Sequence, residues 1–108
     1  RIMRSQDFAR SDRLSDQIKI EVSEILKEEV KDPRLRGLTV LRVEVSKDIK
    51  KAFIYFSSLN SFNDVKIEEI LEGLEKARGF IRFSLGKRLS IKRIPEILFE
   101  RDEFGDRA

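Results

Sequence analysis

Thr39-Val-Leu-Arg-Val-Glu-Val45 and Lys51-Ala-Phe-Ile-Tyr-Phe-Ser57, joined by Ser46-Lys-Asp-Ile-Lys50, decide the fold class. Thr39, Leu41, Val43 and Val45 alternate with Val40, Arg42 and Glu44. Ala52, Ile54 and Phe56 alternate with Phe53, Tyr55 and Ser57. Period-two patterning in β-branched and aromatic residues predicts two strands, each with one apolar face. A polar connection of five residues predicts an antiparallel hairpin.

Towards the N-terminus, Leu14, Ile18, Val22, Ile25, Leu26 and Val30 recur in helical steps and predict one buried stripe. Ser11 is the expected cap, and Asp12 suits the positive end of the helix dipole. Asp32-Pro33 stops the helix, because proline disfavours helical backbone at the residue before it. Residues 1–10 are expected to be a flexible or loosely docked basic lead-in. Towards the C-terminus, Asn63 or Asp64 is the expected cap of a helix with the stripe Ile67, Ile70, Leu71, Leu74 and Ala77. Gly79 interrupts it, and the pattern restarts at Phe80, Ile81, Leu85 and Leu89. A bend at Ala77-Arg78-Gly79 is the expectation, since glycine is a poor interior helix residue. Pro95 ends the helical stretch, Ile97 to Phe99 reads as a last strand, and residues 103–108 form a polar tail.

The expected architecture is therefore α+β, in the order helix, strand, strand, helix, kink, helix, strand. A three-stranded mixed sheet carries the helices on one face, with the third strand parallel to the first and beside it. The folded domain is expected over residues 11–102.

A chain of 108 residues with 40% hydrophobic content suits one domain with a modest core. The absence of Cys and His excludes disulfides, Cys/His zinc sites and Cys or His nucleophile systems within it. No apolar run reaches membrane-spanning length and no signal-peptide pattern opens the chain, so a soluble cytoplasmic protein without membrane contact is expected. No P-loop, Gly-rich dinucleotide turn or nucleophile elbow occurs. No enzyme activity, cofactor, metal or small-molecule substrate is expected.

Charge is unevenly distributed. Lys76, Arg78, Arg82, Lys87, Arg88, Lys92 and Arg93 fall in one segment without a single Asp or Glu. That segment carries +7 against +3 for the whole chain, which leaves −4 on the rest. Cations gathered beside free N–H groups at a helix entrance at Gly79 would neutralise phosphates and give salt-sensitive affinity with little sequence reading. The competing reading is a solvated helix face. Phe80, Phe83 and Tyr55 are expected in the core rather than stacking on bases. Arg1, Arg4, Arg10 and Arg13 form either a second contact arm or a disordered end.

Acid clusters at Glu24, Glu28 and Glu29, at Glu68, Glu69, Glu72 and Glu75, and at Asp102, Glu103 and Asp106 read as solvated faces with Lys partners. Two further readings stay open beside RNA binding. One is a protein-interaction module using the exposed edge of the second strand. The other is a phosphodiester-processing enzyme using Glu72 or Asp102.

Stretches distributed along nearly the whole chain carry a family resemblance. They are Arg10-Ser-Asp-Arg13, Asp32-Pro33-Arg34, Leu38 to Ser46 with Asp48, Ala52 to Ser57, Ala77-Arg-Gly-Phe-Ile-Arg82, and Ile94-Pro-Glu-Ile-Leu-Phe99 with Asp102. In this order they resemble the ribosome-binding factor A family. The resemblance implies a type II KH-like fold in which the Ala77-x-Gly79 helix kink replaces the Gly-x-x-Gly loop of ordinary KH domains. It also implies a protein that binds the free 30S subunit and its 16S rRNA, assists rRNA processing and late maturation, and supports growth in the cold; a monomer is expected. Family members often carry a longer C-terminal extension.

Overall fold

The computed structural model describes residues 2–58 and 65–102, with side chains from residue 9 onward. The hairpin forms as read, β1 (Thr39–Val45) pairing antiparallel with β2 (Lys51–Ser57). Val43 faces Ile54, Val45 faces Ala52, and Val40 faces Phe56. Val40 is thus a core residue, although strict alternation puts it on the outer face with Arg42 and Glu44. The register shifts between Val40 and Arg42, making Leu41 the extra residue of a bulge. One inserted residue turns the preceding positions to the opposite face.

Ser46 organises the turn. Its hydroxyl accepts from the N–H groups of Lys50 (3.2 Å) and Lys51 (3.0 Å) and donates to Asp48 Oδ1 (2.7 Å). Ile49 sits there at φ 59°, a conformation that costs a non-glycine residue ~1–3 kcal/mol. It is tolerated where its half-buried side chain packs on the core.

α1 spans Ile2–Glu28, so helical backbone begins well before the start expected at Ser11. Ser11 is a buried helix-interior residue whose carbonyl accepts from Ser15 Oγ at 2.8 Å; it does not cap. The stripe Leu14, Ile18, Val22, Ile25 and Leu26 is buried as expected. After α1, Asp32 caps a 3-10 turn at Pro33–Leu35, its Oδ1 accepting from Arg34 N–H at 3.0 Å.

α2 is one helix, Ile67–Arg88, where two segments were expected on either side of Gly79. The apparent phase change comes from Phe80, which is 45% exposed and not part of the stripe; Leu71, expected within it, is likewise exposed at 42%. Without it, Ile70, Leu74, Ala77, Ile81 and Leu85 follow one another in steps of three or four, an unbroken helical face. Lys66 occupies the N-cap position with no side-chain cap. The expected caps Asn63 and Asp64, and the polar tail 103–108, lie outside the described residues.

β3 (Glu96–Arg101) runs parallel to β2, with Lys51 against Glu96 and Ile54 against Phe99. The sheet order is β1-β2-β3. The third strand therefore lies beside the second, not beside the first. A strand–helix–strand crossover returns the chain to the start of the strand it left, and Glu96 N–H donates to Lys50 O at 2.8 Å to open the ladder. The other side of β1 is taken by α1, where Ser15 Oγ accepts from Val45 N–H at 3.1 Å. β2 is central, so its edge is not available to a partner strand. The α+β, KH-like class with a three-stranded mixed sheet holds. α1 and α2 enclose one core with Val43, Ala52, Ile54, Phe56 and Ile97 from the sheet.

Candidate nucleic-acid interface

The C-terminal half of α2 and the segment leading into β3 are held side by side by two arginines. Arg82 donates to Ile94 O at 2.7 Å and to Pro95 O at 3.3 Å. Arg78 donates to Ile97 O at 3.3 Å. Beside this seam lies an open groove of about 640 Å³ lined by Gly79, Arg82, Phe83, Gly86, Lys87, Lys92, Arg93 and Ile94. Four of the seven basic residues of the segment meet there, and no carboxylate lines it. Among the described residues, no ion pair engages Arg82, Lys87, Lys92 or Arg93. Lys87 Nζ stands 4.6 Å from the centre of the Phe83 ring.

The other three cations are placed elsewhere. Arg88 reaches across to Glu21 (2.8 Å), Glu24 (2.9 Å) and Glu29, joining the end of α2 to α1 and the residue just after it. Hydrogen bonds that Arg88 donates to Glu21 first, then to Glu29 and Glu24, raise its pKa further and keep it charged. Glu29 also accepts from Ser84 Oγ at 2.7 Å. The Ser84 and Arg88 bonds hold its carboxyl below the ordinary glutamate value. Arg78 pairs with Glu75 at 2.8 Å and approaches Glu96 at 4.0 Å. Lys76 is exposed on the flank facing Asp32. The Arg34 side chain, with a lesser contribution from Lys76, holds the Asp32 carboxyl below its usual range.

Ala77 is half-buried against the core and Gly79 is exposed. Within a continuous helix their N–H groups are spent on carbonyls one turn back. The free N–H groups expected at a helix entrance there are not on offer, and side-chain cations supply the attraction instead.

The glycines of α2 differ in what surrounds them. A Cβ at Gly73 would come within 3.1 Å of Asp32 Oδ2 and 3.2 Å of Leu35 Cδ2, so any larger residue there pushes these side chains aside by a few tenths of an ångström. A Cβ at Gly79 would meet nothing within 4 Å, and one at Gly86 only Ile94 at 3.6 Å. Each glycine costs a helix ~1 kcal/mol relative to alanine, and the protein's own packing requires neither.

Phe83 is 61% exposed and Phe80 45%, which corrects the expectation that both are core. Tyr55 is half-buried on the sheet face opposite the helices. Arg42 lies 3.9 Å from its ring centre, and its hydroxyl donates to Glu44 at 3.4 Å. Gly86 and Ile94 were not singled out from sequence. The seven-residue spacing of Gly79 and Gly86, which puts both on one helix face, is the signal that could have found Gly86. Arg10 and Arg13 are exposed on α1; the side chains of Arg1 and Arg4 lie outside the described residues.

Members of the acid clusters are engaged structurally: Glu72 with Arg34 at 3.0 Å, and Asp102 with Arg42 at 3.0 Å. A second cavity, about 710 Å³, lies between the end of α1 and the approach to β1. Its lining mixes Lys27, Lys31 and Arg36 with Glu28 and Asp32, so its charge does not select a polyanion. No helix among the described residues is long and apolar enough to cross a membrane.

Fold and groove together define a small α+β domain that presents a cationic, carboxylate-free channel along one helix. The chain belongs to the ribosome-binding factor A family, whose family model matches residues 10–108. It is 48% identical over 103 residues to a Ribosome-binding factor A of Pediococcus pentosaceus, covering 91% of this chain and 86% of that one. The crystal structure of ribosome-binding factor A from Thermus thermophilus superposes with a TM-score of 0.73 at 28% identity, over 84% of this chain and 94% of that one. A homology model of the Thermus thermophilus factor, fitted into a cryo-EM map of a 30S complex, gives a TM-score of 0.65 at 29% identity, over 80% and 88% of the two chains.

Proposed function

We propose that this protein binds the free 30S subunit through its 16S rRNA and assists maturation and rRNA processing, including in the cold. It acts as a cytoplasmic monomer and by binding energy alone, biasing one RNA conformation as any ligand biases a population. One observation carries the reading: Arg82, Lys87, Lys92 and Arg93 converge on a groove with no carboxylate in its lining, in a chain where the nearby cations Arg78 and Arg88 have acidic partners. Family membership and the fitted 30S complex of the Thermus factor support the choice of RNA. Arg88 serves this function indirectly, by joining α2 to α1, and Ala77 and Gly79 shape the helix beneath the groove.

The test is co-sedimentation with separated 30S subunits, 50S subunits and 70S ribosomes. Selective retention on 30S is expected. Substituting Lys87, Lys92 and Arg93 together by glutamine should weaken that retention roughly tenfold or more and reduce the slope of log affinity against log salt by about 2. Equal retention on all three particles, or a triple variant with unchanged salt dependence, would reject the proposal.

A further inference from the structure

We propose that the groove accepts a single RNA strand, with one unpaired base laid on Phe83 and the adjoining phosphates on Lys87, Lys92 and Arg93. This rests on the RNA-binding reading above and narrows it to a class of RNA. An electrostatic patch for duplex phosphates has no use for an exposed phenyl ring at its centre, and in A-form RNA the stacked bases are withheld from side chains. Phe83 is nevertheless 61% exposed in the middle of the cationic lining. Alternating cations with an accessible aromatic face is how single strands are held, phosphates on the charges and bases on the ring.

The neighbours of Phe83 sharpen the argument. Gly79 lies one turn before it and Gly86 one turn after it, on the same helix face. Neither glycine is demanded by the fold, and a Cβ at Gly79 would stand in open space. The floor at Gly79 is therefore bare, open backbone, which lets a flat base and its sugar approach closely, while at Gly86 the backbone lies beside Ile94. Ile94 supplies an apolar wall on the opposite side, positioned by the bonds from Arg82 to the carbonyls of Ile94 and Pro95. Lys87 holds its ammonium over one face of the ring, 4.6 Å from its centre, so a base stacking on that face displaces it towards the adjoining phosphate. A groove of about 640 Å³ falls within the range of ~300–1,000 Å³ that encloses small ligands. It suits a short run of nucleotides.

The experiment compares an unstructured single-stranded RNA oligomer with a blunt RNA duplex carrying the same number of phosphates, titrated against wild type, Phe83→Ala, Phe83→Trp and the Lys92→Gln/Arg93→Gln double variant. Wild type should prefer the single strand. Phe83→Ala should bind it roughly 5- to 150-fold more weakly with the salt slope unchanged, the loss expected for one stacked base. The chain has no tryptophan, so Phe83→Trp supplies a lone fluorophore, which should be quenched by the strand and not by an oligomer with abasic positions. Equal affinity for duplex and strand, with Phe83→Ala neutral and the tryptophan unquenched, would overturn this inference. The groove itself would still stand if the double variant lost affinity and salt slope. A double variant that binds like wild type would instead remove the groove reading.

Discussion

Arg82 could act as a phosphate ligand or as a brace, and the two roles are separable. Its guanidinium donates to two carbonyls, at Ile94 and Pro95, in directions that only a planar fork satisfies together. Arg82→Lys keeps the charge and loses the fork. If Arg82 positions Lys92 and Arg93, this variant should weaken RNA binding roughly 3- to 10-fold, as for loss of about 1 kcal/mol of preorganisation. Its salt slope should stay unchanged, and the amides of Lys92, Arg93, Ile94 and Glu96 should exchange faster with deuterium. Wild-type affinity in Arg82→Lys would assign the residue to simple charge attraction. The basic residue types were readable from sequence. Which of them are spent on carboxylates was not, because Glu21, Glu24 and Glu29 reach Arg88 only when α1 packs on α2.

At the scale of the element, α2 serves two different surfaces. Gly73 lets the turn after α1 sit against the helix, while Gly79 leaves the groove floor bare. Gly79→Ala should therefore stabilise the protein by ~0.5–1 kcal/mol, raising Tm by roughly 2–8 °C for a domain of this size, and should weaken RNA binding by crowding the floor. Gly73→Ala should lower Tm, because Asp32 and Leu35 must give way. Thermal melts of the two single variants check both signs, and a stabilised Gly73→Ala would refute the packing assigned there. The helix was legible from its spacing of apolar residues, and its continuity was not. Phe80 lies one residue from the true stripe, and hydropathy alone cannot distinguish a ring that packs inward from one left in water. Leu41 misleads in the same way on β1. A bulge is a property of the paired ladder, so alternation within one strand misassigns Val40.

At the scale of the molecule, Arg88 joins the two helices through three glutamates. Glu29 is held below its ordinary pKa of 4.5 in the folded state by Ser84 and Arg88. The folded state thus binds fewer protons than the unfolded one as pH falls below about 5. The stabilisation is fully present above that value and is lost as pH falls through the lowered pKa. Glu29→Gln should flatten the fall of Tm between about pH 5 and pH 2 while leaving RNA contacts at neutral pH in place. An acid limb identical to wild type would rule Glu29 out as a contributor. Sequence by itself determined the α+β class, the hairpin, the first buried stripe, most of the second and the concentration of cations, because each of these is local: periodicity and charge are carried by neighbours in the chain. Tertiary structure alone decided that β3 lies beside β2, that Phe83 faces solvent, and that Lys92 and Arg93 join Arg82 and Lys87 in one groove while Arg88 turns away. Those outcomes depend on which edge, which face and which carboxylate is within reach once the chain has closed on its core.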